Sequence, residues 1–269
     1  MLLILMKLVY GICPAMEIIA HPKVKSKSIV ETSGLVFYHN RVWLHNDSGG
    51  KAELFSRDVD GQNHQKHTIE VNKAVDWEDL SIDRKKGVFY IADTGDNREK
   101  RTNIQIITYD LLQQKTQRIP ISYDTGPIDV EGIAFDPIQQ ELILISKGRG
   151  GTVHLFSFDP QKKPLTPLRS QYQFSISAAK SLNPERITAM DISPDGSYIA
   201  IRNYMELFLW QRSIHESVIE SMQSKPCVYM LPIQKQGESL GFSNNHQMWT
   251  LSEGKNQPLF EIRLIDTQP

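Results

Sequence analysis

The stretch that decides the fold is AVDWEDLSIDRKKGVFYIADTGDN, residues 74–97. Two runs rich in strand-forming residues flank the polar segment DRKKG, which is the pattern of a β-hairpin. Acidic side chains stand at both ends of this hairpin, where they could bind a metal, take part in chemistry, pair with basic residues or form turns. The acidic residues are Asp76, Glu78, Asp79, Asp83, Asp93 and Asp96.

The same pattern recurs along the chain at intervals near 50 residues, which indicates a repeat architecture. In every copy, a first strand leads through a polar turn into a second strand, and 15 residues separate the entry position from the exit position. The five copies run from Glu31 to Asn46, from Glu78 to Asp93, from Glu131 to Ser146, from Thr188 to Asn203 and from Glu238 to Glu253.

Each hairpin is followed by further strand-like runs, for example NIQIITYDL at 103–111 and MELFLWQR at 205–212. Four antiparallel strands repeated five times predict an all-β protein, a β-propeller with five four-stranded blades. Residues 17–30 are expected to pair with the last blade and close the ring. A sixth blade within 161–185 or 210–232 is the alternative. We expect one propeller domain over residues 16–269.

In a propeller the first strand of each blade lines the central channel, so equivalent residues form a ring. Glu31, Glu78, Glu131, Thr188 and Glu238 are therefore expected around one end of the axis. Their carboxylates repel one another unless Lys147 and Arg202 pair with them, protons stay bound, or a cation neutralises them. A hard cation such as Ca²⁺ takes oxygen ligands. The candidate metal ligands are Glu31, Glu78, Asp93, Asp96, Asn97 and Glu131.

The other polar residues predicted at this rim are candidates for ligand binding and catalysis. Trp77 is either a packing anchor between blades or a platform for a ligand. For a hydrolytic reaction, Glu238 or Asp47 is the candidate general base, while Arg202 and Lys147 would stabilise developing negative charge. The candidate ligand-binding residues are Asn46, Trp77, Lys147, Arg202, Tyr204 and Glu253.

Composition excludes some classes of protein. The formal net charge is −1 and the chain contains no block of Lys and Arg, so a nucleic-acid partner is not expected. The apolar start MLLILMKLVYGICPA, residues 1–15, is too short for a transmembrane span and is typical of a short signal peptide. Such a segment predicts a periplasmic or extracellular protein. If this segment is not a signal, the protein is expected to be cytoplasmic. Met6 and Met16 are alternative start positions. We expect a monomer.

Cysteine usage gives little further information. Cys13 and Cys227 are the only cysteines, so removal of residues 1–15 would leave no disulfide. The sequence therefore predicts neither a disulfide framework nor a cysteine metal site.

Several strings in the chain are similar to those of a family of largely uncharacterised bacterial β-propeller proteins. The strings are HNDSG (45–49), DWEDL (76–80), ADTGDN (92–97), VEGIAFDP (130–137), ITAMDISPDG (187–196) and GESLGF (237–242). The resemblance spans all five hairpins and implies a propeller fold. It implies no particular reaction. More distantly, the architecture resembles phytase-like, lactonase and esterase propellers, whose channel mouths are acidic and carry Ca²⁺.

Three functions follow as hypotheses. The first is a secreted or cell-envelope propeller that binds a small polar ligand or a partner at its acidic mouth, with Ca²⁺ as the candidate cofactor. The second is a metal-dependent hydrolase of a phosphate ester, lactone or other ester. The third is an interaction scaffold, which would need no converging polar groups at the axis.

Overall fold

The computed structural model describes residues 13–176 and 186–265. They form five four-stranded antiparallel sheets, which confirms the predicted five-bladed propeller. The first blade contains β2 (Thr32–Tyr38), β3 (Arg41–Asn46), β4 (Glu53–Arg57) and β5 (Gln65–Thr68). The second contains β6 (Leu80–Asp83), β7 (Val88–Asp93), β8 (Gln105–Asp110) and β9 (Lys115–Pro120). The third contains β10 (Val130–Asp136), β11 (Glu141–Ser146), β12 (Val153–Phe158) and β13 (Tyr172–Phe174).

The fourth and fifth blades complete the ring. The fourth contains β14 (Ile187–Ile192), β15 (Tyr198–Asn203), β16 (Glu206–Gln211) and β17 (Cys227–Met230). The fifth combines β18 (Gly241–Asn244), β19 (Gln247–Thr250) and β20 (Pro258–Ile265) with the N-terminal strand β1 (Ala15–Lys23). Strand β1 pairs antiparallel with β20, with Ile18 opposite Ile262. The N-terminal strand thus closes the ring as predicted, and it covers a sheet edge that would otherwise be open to other chains.

The described residues contain no sixth blade. Within the two ranges considered for one, β13 and β17 are the outer strands of the third and fourth blades, and a short helix, α1 (Val218–Met222), precedes β17. This helix begins with a capping box formed by Ser217 and Glu220. Residues 177–185 of the first range lie outside the described part of the chain.

Five hydrophobic clusters hold the blades together, and each fills the space between two neighbouring blades. One cluster joins Trp249 of the last blade to Phe55 of the first, so the ring is closed by packing as well as by strand pairing. Residues of the inner strands β6, β10 and β14 are buried along their whole length. These strands therefore pack on neighbouring blades and on the axis at the same time.

The axis itself is nearly filled, and Asp79 lies at its centre. The Asp79 carboxylate accepts hydrogen bonds from the Leu80 N–H at 2.8 Å, the Ile133 N–H at 3.0 Å and the Met190 N–H at 3.2 Å. It therefore links the second, third and fourth blades. Burial raises its pKa well above the ordinary value, and the three N–H donors oppose that rise. A Cβ on the neighbouring Gly132 would lie 3.0 Å from the Met190 nitrogen, so this crowded position suits glycine.

A disulfide joins Cys13 to Cys227, with the two Cα atoms 5.6 Å apart. The expectation that the cysteines form no disulfide is therefore wrong. Ring closure places Cys13, which lies just before β1, beside Cys227 in the outer strand of the fourth blade, a contact that cysteine spacing alone does not reveal. The Tyr229 hydroxyl supports this contact by donating to the Pro14 carbonyl at 2.7 Å. A cut after Ala15 would remove Cys13 from the mature chain, and the predicted signal peptide stays a prediction.

Membrane insertion by a helix finds no support in the described residues, since none of their helices has the length and apolar character needed to cross a bilayer.

We expect the change Cys227→Ser to lower the free energy of unfolding by about 2–4 kcal/mol, because the disulfide closes a loop of 214 residues in the unfolded chain. For a chain of this size, this loss corresponds to a fall in Tm of roughly 5–15 °C. Thermal melts without reductant measure it. The double variant Cys13→Ser/Cys227→Ser should match the single variant. Equal melting of wild type and Cys227→Ser would contradict the disulfide.

Candidate functional site

The channel mouth is built from three sets of equivalent positions in the five blades. The inner strands of blades one, three and four shift register near the mouth, so that an extra residue turns toward the axis. Strand pairing aligns the axial set as Ser33, Glu78, Glu131, Thr188 and Glu238. The residues two positions earlier are Glu31, Asp76, Asp129, Arg186 and Gln236. Directly after the second strands come Asp47, Thr94, Lys147 and Tyr204, and the equivalent residue of the fifth blade is Glu253, which follows the isolated bridge of Ser252 with Gly237.

The placement of Glu31 in the axial ring is wrong. Thr32 pairs with Asn46, so the adjacent Ser33 takes the axial position, and its hydroxyl donates to the Glu78 carbonyl. Glu31 belongs to the set two residues earlier and is exposed. Its charge still acts on the mouth, since it helps to raise the pKa values of Asp47 and Glu253.

Glu78 is the centre of the acidic mouth. Only 6 % of its surface is exposed, and its carboxylate makes no hydrogen bond or ion pair with any residue that the structure describes. Oxygens of Asp47, Asp76 and Glu78 all lie within 4.8 Å of one another. Burial, followed by the charges of Glu131, Asp47 and Asp76, raises the pKa of Glu78 well above its ordinary value. A buried, uncompensated carboxylate group of this kind is suited to a cation.

Gly95 provides the space for these carboxylates. A Cβ at this position would lie 1.9 Å from Glu78 Oε1 and 2.7 Å from Asp76 Cγ. Any larger residue would therefore push both acids out of place. The glycine of the ADTGDN string is thus explained by the close approach of two acidic side chains rather than by turn geometry.

A second acidic group contains Glu78, Asp129 and Glu131, whose oxygens also lie within 4.8 Å of one another. This group is partly neutralised by basic side chains. The Lys147 ammonium donates to Glu131, and Arg149 Nε donates to Asp129 at 2.9 Å. Burial raises the pKa of Glu131, and the charge of Lys147 opposes this rise.

The opposite side of the mouth holds Glu238 and Glu253, which interact directly. Burial and then the charge of Glu253 raise the pKa of Glu238 to about 9, so Glu238 holds a proton at neutral pH. Tyr204 lies close enough to Lys147 and Glu238 for their charges to change the pKa of its hydroxyl. Burial, and then the charges of Asp76, Glu253 and Glu31, raise the pKa of Asp47 to about 7. The mouth therefore contains carboxyl groups that exchange protons near neutral pH.

Three of the predicted metal ligands are engaged by protein partners. Asp93 is fully buried and accepts from Arg101 and from Gln105, both at 2.9 Å. Asp96 accepts from the Arg101 N–H at 2.6 Å, and the exposed Asn97 accepts from Arg149. The Asn97–Arg149 contact holds the loop after β7 against the third blade, and the contacts of Arg101 and Gln105 lie within the second blade.

Three of the predicted ligand-binding residues also make structural contacts. Arg202 is fully buried and donates to Thr250, to Gln234 and to the carbonyls of Asn203, Tyr204 and Ser239. Asn46 accepts from two backbone N–H groups and donates to the Ser28 carbonyl. Trp77 is fully buried in the cluster between the first two blades.

Asp76 and Asp129 were absent from the candidate ligands, although both lie in the acidic groups. A signal for them exists in the sequence. The axial glutamates of the second and third blades are both preceded two residues earlier by aspartate, as DWE (76–78) and DVE (129–131). The two acids of each string lie in the same acidic group, and in the third blade a register shift at the mouth accompanies this arrangement.

A cleft of about 330 Å³ opens beside the acidic mouth. It is lined by Asp76, Asp96, Asn97, Arg98, Lys100 and Arg101. Another cavity lies at the opposite end of the axis, near Arg84 and Asp191, but its volume of about 40 Å³ accommodates only a few water molecules. The cleft beside Asp76 is therefore the better place for a ligand.

Comparisons with known proteins support the propeller fold and do not identify an activity. No protein-family model matches the chain, and no curated protein matches it in sequence. The fold is similar to that of a PQQ-bound aldose sugar dehydrogenase from Streptomyces coelicolor, with a TM-score of 0.55, 9 % identity, and coverage of 93 % of this chain and 99 % of that one. At such identity the likeness shows the fold alone.

Two further solved structures are similar over nearly their whole length. One is regucalcin from Agrobacterium tumefaciens, described as a calcium-binding protein, with a TM-score of 0.53, 10 % identity, and coverage of 93 % of this chain and 95 % of that one. The other is a putative gluconolactonase, with a TM-score of 0.51, 10 % identity and coverage of 93 % and 94 %. At 10 % identity these two likenesses also show the fold alone.

In a chelating buffer, we expect Tm to fall as the pH rises from about 5 to about 9. The unfolded chain releases the protons of these carboxyls near pH 4, whereas the native chain holds them up to about pH 7 at Asp47 and about pH 9 at Glu238. Their contribution to stability is therefore full below about pH 4 and is lost as the pH rises through these values. Differential scanning fluorimetry across this range measures the effect.

The variant Asp47→Asn should show a shallower decline in Tm between about pH 5 and pH 7, because it removes one of these proton sites. As a matched control, Glu216→Gln changes an exposed acid next to Arg212, away from the mouth, and should keep the wild-type slope. An unchanged slope in Asp47→Asn would contradict the raised pKa of Asp47.

Proposed function

We propose that the channel mouth binds a divalent cation, Ca²⁺, at Asp47, Asp76 and Glu78, and uses it to hold a small polar ligand. The observation that carries the proposal is the buried Glu78 carboxylate, which has no protein partner among the described residues and lies beside two further carboxylates. Burying such a charge without a partner costs several kcal/mol. A bound cation removes this cost.

The donor set favours Ca²⁺ among the common cations. Its side chains offer only carboxylate oxygens, which are typical ligands of Ca²⁺, whereas zinc sites are usually built with histidine or cysteine. His45 is the nearest imidazole on the chain before Asp47, and it is fully buried against Trp77. The calcium-binding description of the similar regucalcin structure agrees with this choice.

In a mature chain that keeps Cys13, the disulfide supports a location outside the cytosol. Disulfides persist mainly in oxidising compartments such as the periplasm and the extracellular space. Extracellular calcium modules bind with dissociation constants of roughly 10⁻⁴–10⁻³ M. We therefore propose a secreted or cell-envelope protein whose cation site is filled at the calcium levels found there.

The cleft next to Asp76 suggests what the cation holds. Arg98 and Lys100 line this cleft and are exposed, so basic side chains stand beside an acidic cation site. This arrangement suits a ligand that places one oxygen on the metal and a second, negatively charged group against the basic side chains. A small carboxylate or phosphate compound fits this description.

We expect Glu78→Gln to abolish calcium binding, because it removes the charge of the most buried carboxylate of the set. Wild type should gain about 5–10 °C in Tm at a calcium concentration near 100 times the dissociation constant, and the variant should gain less than about 1 °C. Calorimetric titration with CaCl₂ and thermal melts in calcium and in chelator measure both effects.

The matched control is again Glu216→Gln, which makes the same chemical change away from the mouth and should bind calcium as wild type does. A second variant, Gly95→Ala, should also lose binding, because its Cβ displaces Glu78 and Asp76. Coincident melts of the wild-type protein in calcium and in chelator, with no heat on titration, would refute the proposal.

A metal-dependent hydrolase is the second candidate function, and Glu238 favours it. Its carboxyl group is buried, has a pKa raised to about 9 and lies in the same mouth as the proposed cation. Such a group can donate a proton to a leaving group, while the cation polarises a carbonyl or phosphoryl oxygen. The similar putative gluconolactonase structure makes lactones the first substrates to test.

If the protein hydrolyses lactones, carboxylic esters or phosphate esters, Glu238→Gln should lower kcat about 100-fold or more while calcium binding is retained. The amide fills the same space and cannot supply the proton. Steady-state kinetics on a panel of these three substrate classes, with calcium present, checks the expectation. Absence of turnover across the panel would leave binding as the function.

A further inference from the structure

The mouth contains two acidic groups that share one member. Asp47, Asp76 and Glu78 form the first group, and Glu78, Asp129 and Glu131 form the second. In each group, the nearest oxygens lie within 4.8 Å of one another, a spacing that lets several of them bind one ion. Glu78 is the bridging residue, and it makes no hydrogen bond or ion pair within the described chain.

The two groups differ in how their charge is balanced. In the second group, the Lys147 ammonium contacts Glu131 at 2.5 Å, and Arg149 contacts Asp129 at 2.9 Å. Lys147 is largely buried, so ions in the solvent screen its charge only weakly, and the ammonium is held beside Glu131. The first group has no ion pair with a lysine or arginine that the structure describes. The ion pairs described at these two groups are thus all on the Glu131 side of Glu78, and Arg101 acts on Asp76 of the first group through its charge without an ion pair.

Lys147 has the position and protonation state of a bound cation. Burial alone would lower its pKa, but the charge of Glu131 outweighs this effect and raises the pKa above the ordinary value. The ammonium also acts on Glu78 and Glu238, so it contributes positive charge to the whole mouth. It comes from the position that follows the second strand of its blade, where blade one has Asp47.

We propose that the mouth has two cation positions sharing Glu78, and that the Lys147 ammonium fills the one beside Glu131. Only the position at Asp47, Asp76 and Glu78 is then left for a metal ion. The metal half of this inference rests on the proposed function above, whereas the role of Lys147 does not. The arrangement places a fixed ammonium beside a single metal, so that a ligand oxygen can contact both.

The test is the calcium stoichiometry of Lys147→Met, measured by equilibrium dialysis with elemental analysis and by titration with Tb³⁺. Wild type should bind one ion and Lys147→Met two, because removal of the ammonium exposes Glu131 and Glu78 to a second cation. Lys147→Arg keeps the charge and should bind one ion. Lys235→Met, which removes an exposed lysine close to Glu253, is the matched control and should also bind one.

A second readout separates the ammonium's role from simple loss of packing. The calcium-induced rise in Tm should be roughly twice as large in Lys147→Met as in wild type, and adding Glu131→Gln should return it to the wild-type value. Lys147→Gln serves as a second neutral variant if the methionine variant does not fold, as judged by circular dichroism.

The outcomes distinguish the two proposals. One ion in wild type and one in both neutral variants would overturn the role of Lys147 and leave the proposed metal site standing. No ion in wild type and one in Lys147→Met would support the role of Lys147 and overturn the proposed function. No ion in any of these proteins would overturn both.

Discussion

The structure depends on the convergence of five inner strands on one narrow axis, which leaves room for a single carboxylate. Asp79 occupies that space and accepts backbone N–H donors from three blades. The equivalent residues of the other blades are small, because a second large side chain would collide with a neighbouring strand. They are Gly34, Gly132, Ala189 and Ser239. Asp79 thereby helps to hold the second, third and fourth blades in register at the centre of the axis.

The acidic mouth is a consequence of this crowding. Since the axis is filled below, the side chains one position nearer the rim have no space to descend and gather at its entrance. Glu78 and Glu131 come from neighbouring blades and reach the same small volume, where burial makes their charges costly. Lys147 balances one side of this volume and no basic side chain among the described residues pairs with the other. The proposed cation site rests on this electrostatic imbalance, independently of which reaction or ligand the protein serves.

The repeat predicted the propeller because each hairpin carries the same period-two pattern and the same spacing. The repeat placed the axial residue of the first blade two positions too early, at Glu31. The first blade has no glutamate at the axial position, so the sequence alignment matched the nearest glutamate instead. Strand pairing instead aligns Ser33 with Glu78. The disulfide was missed for a related reason. Cys13 and Cys227 are separated by 214 residues, and only closure of the ring brings them together. The acids Asp76 and Asp129 could have been found from the repeated Asp-x-Glu strings.

The sequence by itself determined the propeller fold, the five repeated hairpins, the closing strand and the end of the axis where the acids collect, while the choice between five and six blades came from the sheets of the described residues. These features follow from local periodicity and from equivalence between repeats, and both can be read directly from the amino-acid sequence. Only the tertiary structure decided which acids are engaged and which remain without a partner. Asp93 is satisfied by Arg101, whereas Glu78 is not satisfied by any described residue. The physical reason is that charge balance depends on distances between side chains in the folded protein. Arg101 reaches Asp93 within one blade, whereas Glu78 is surrounded by acids that include Asp47 of the first blade and Glu131 of the third, a grouping that no local sequence pattern shows.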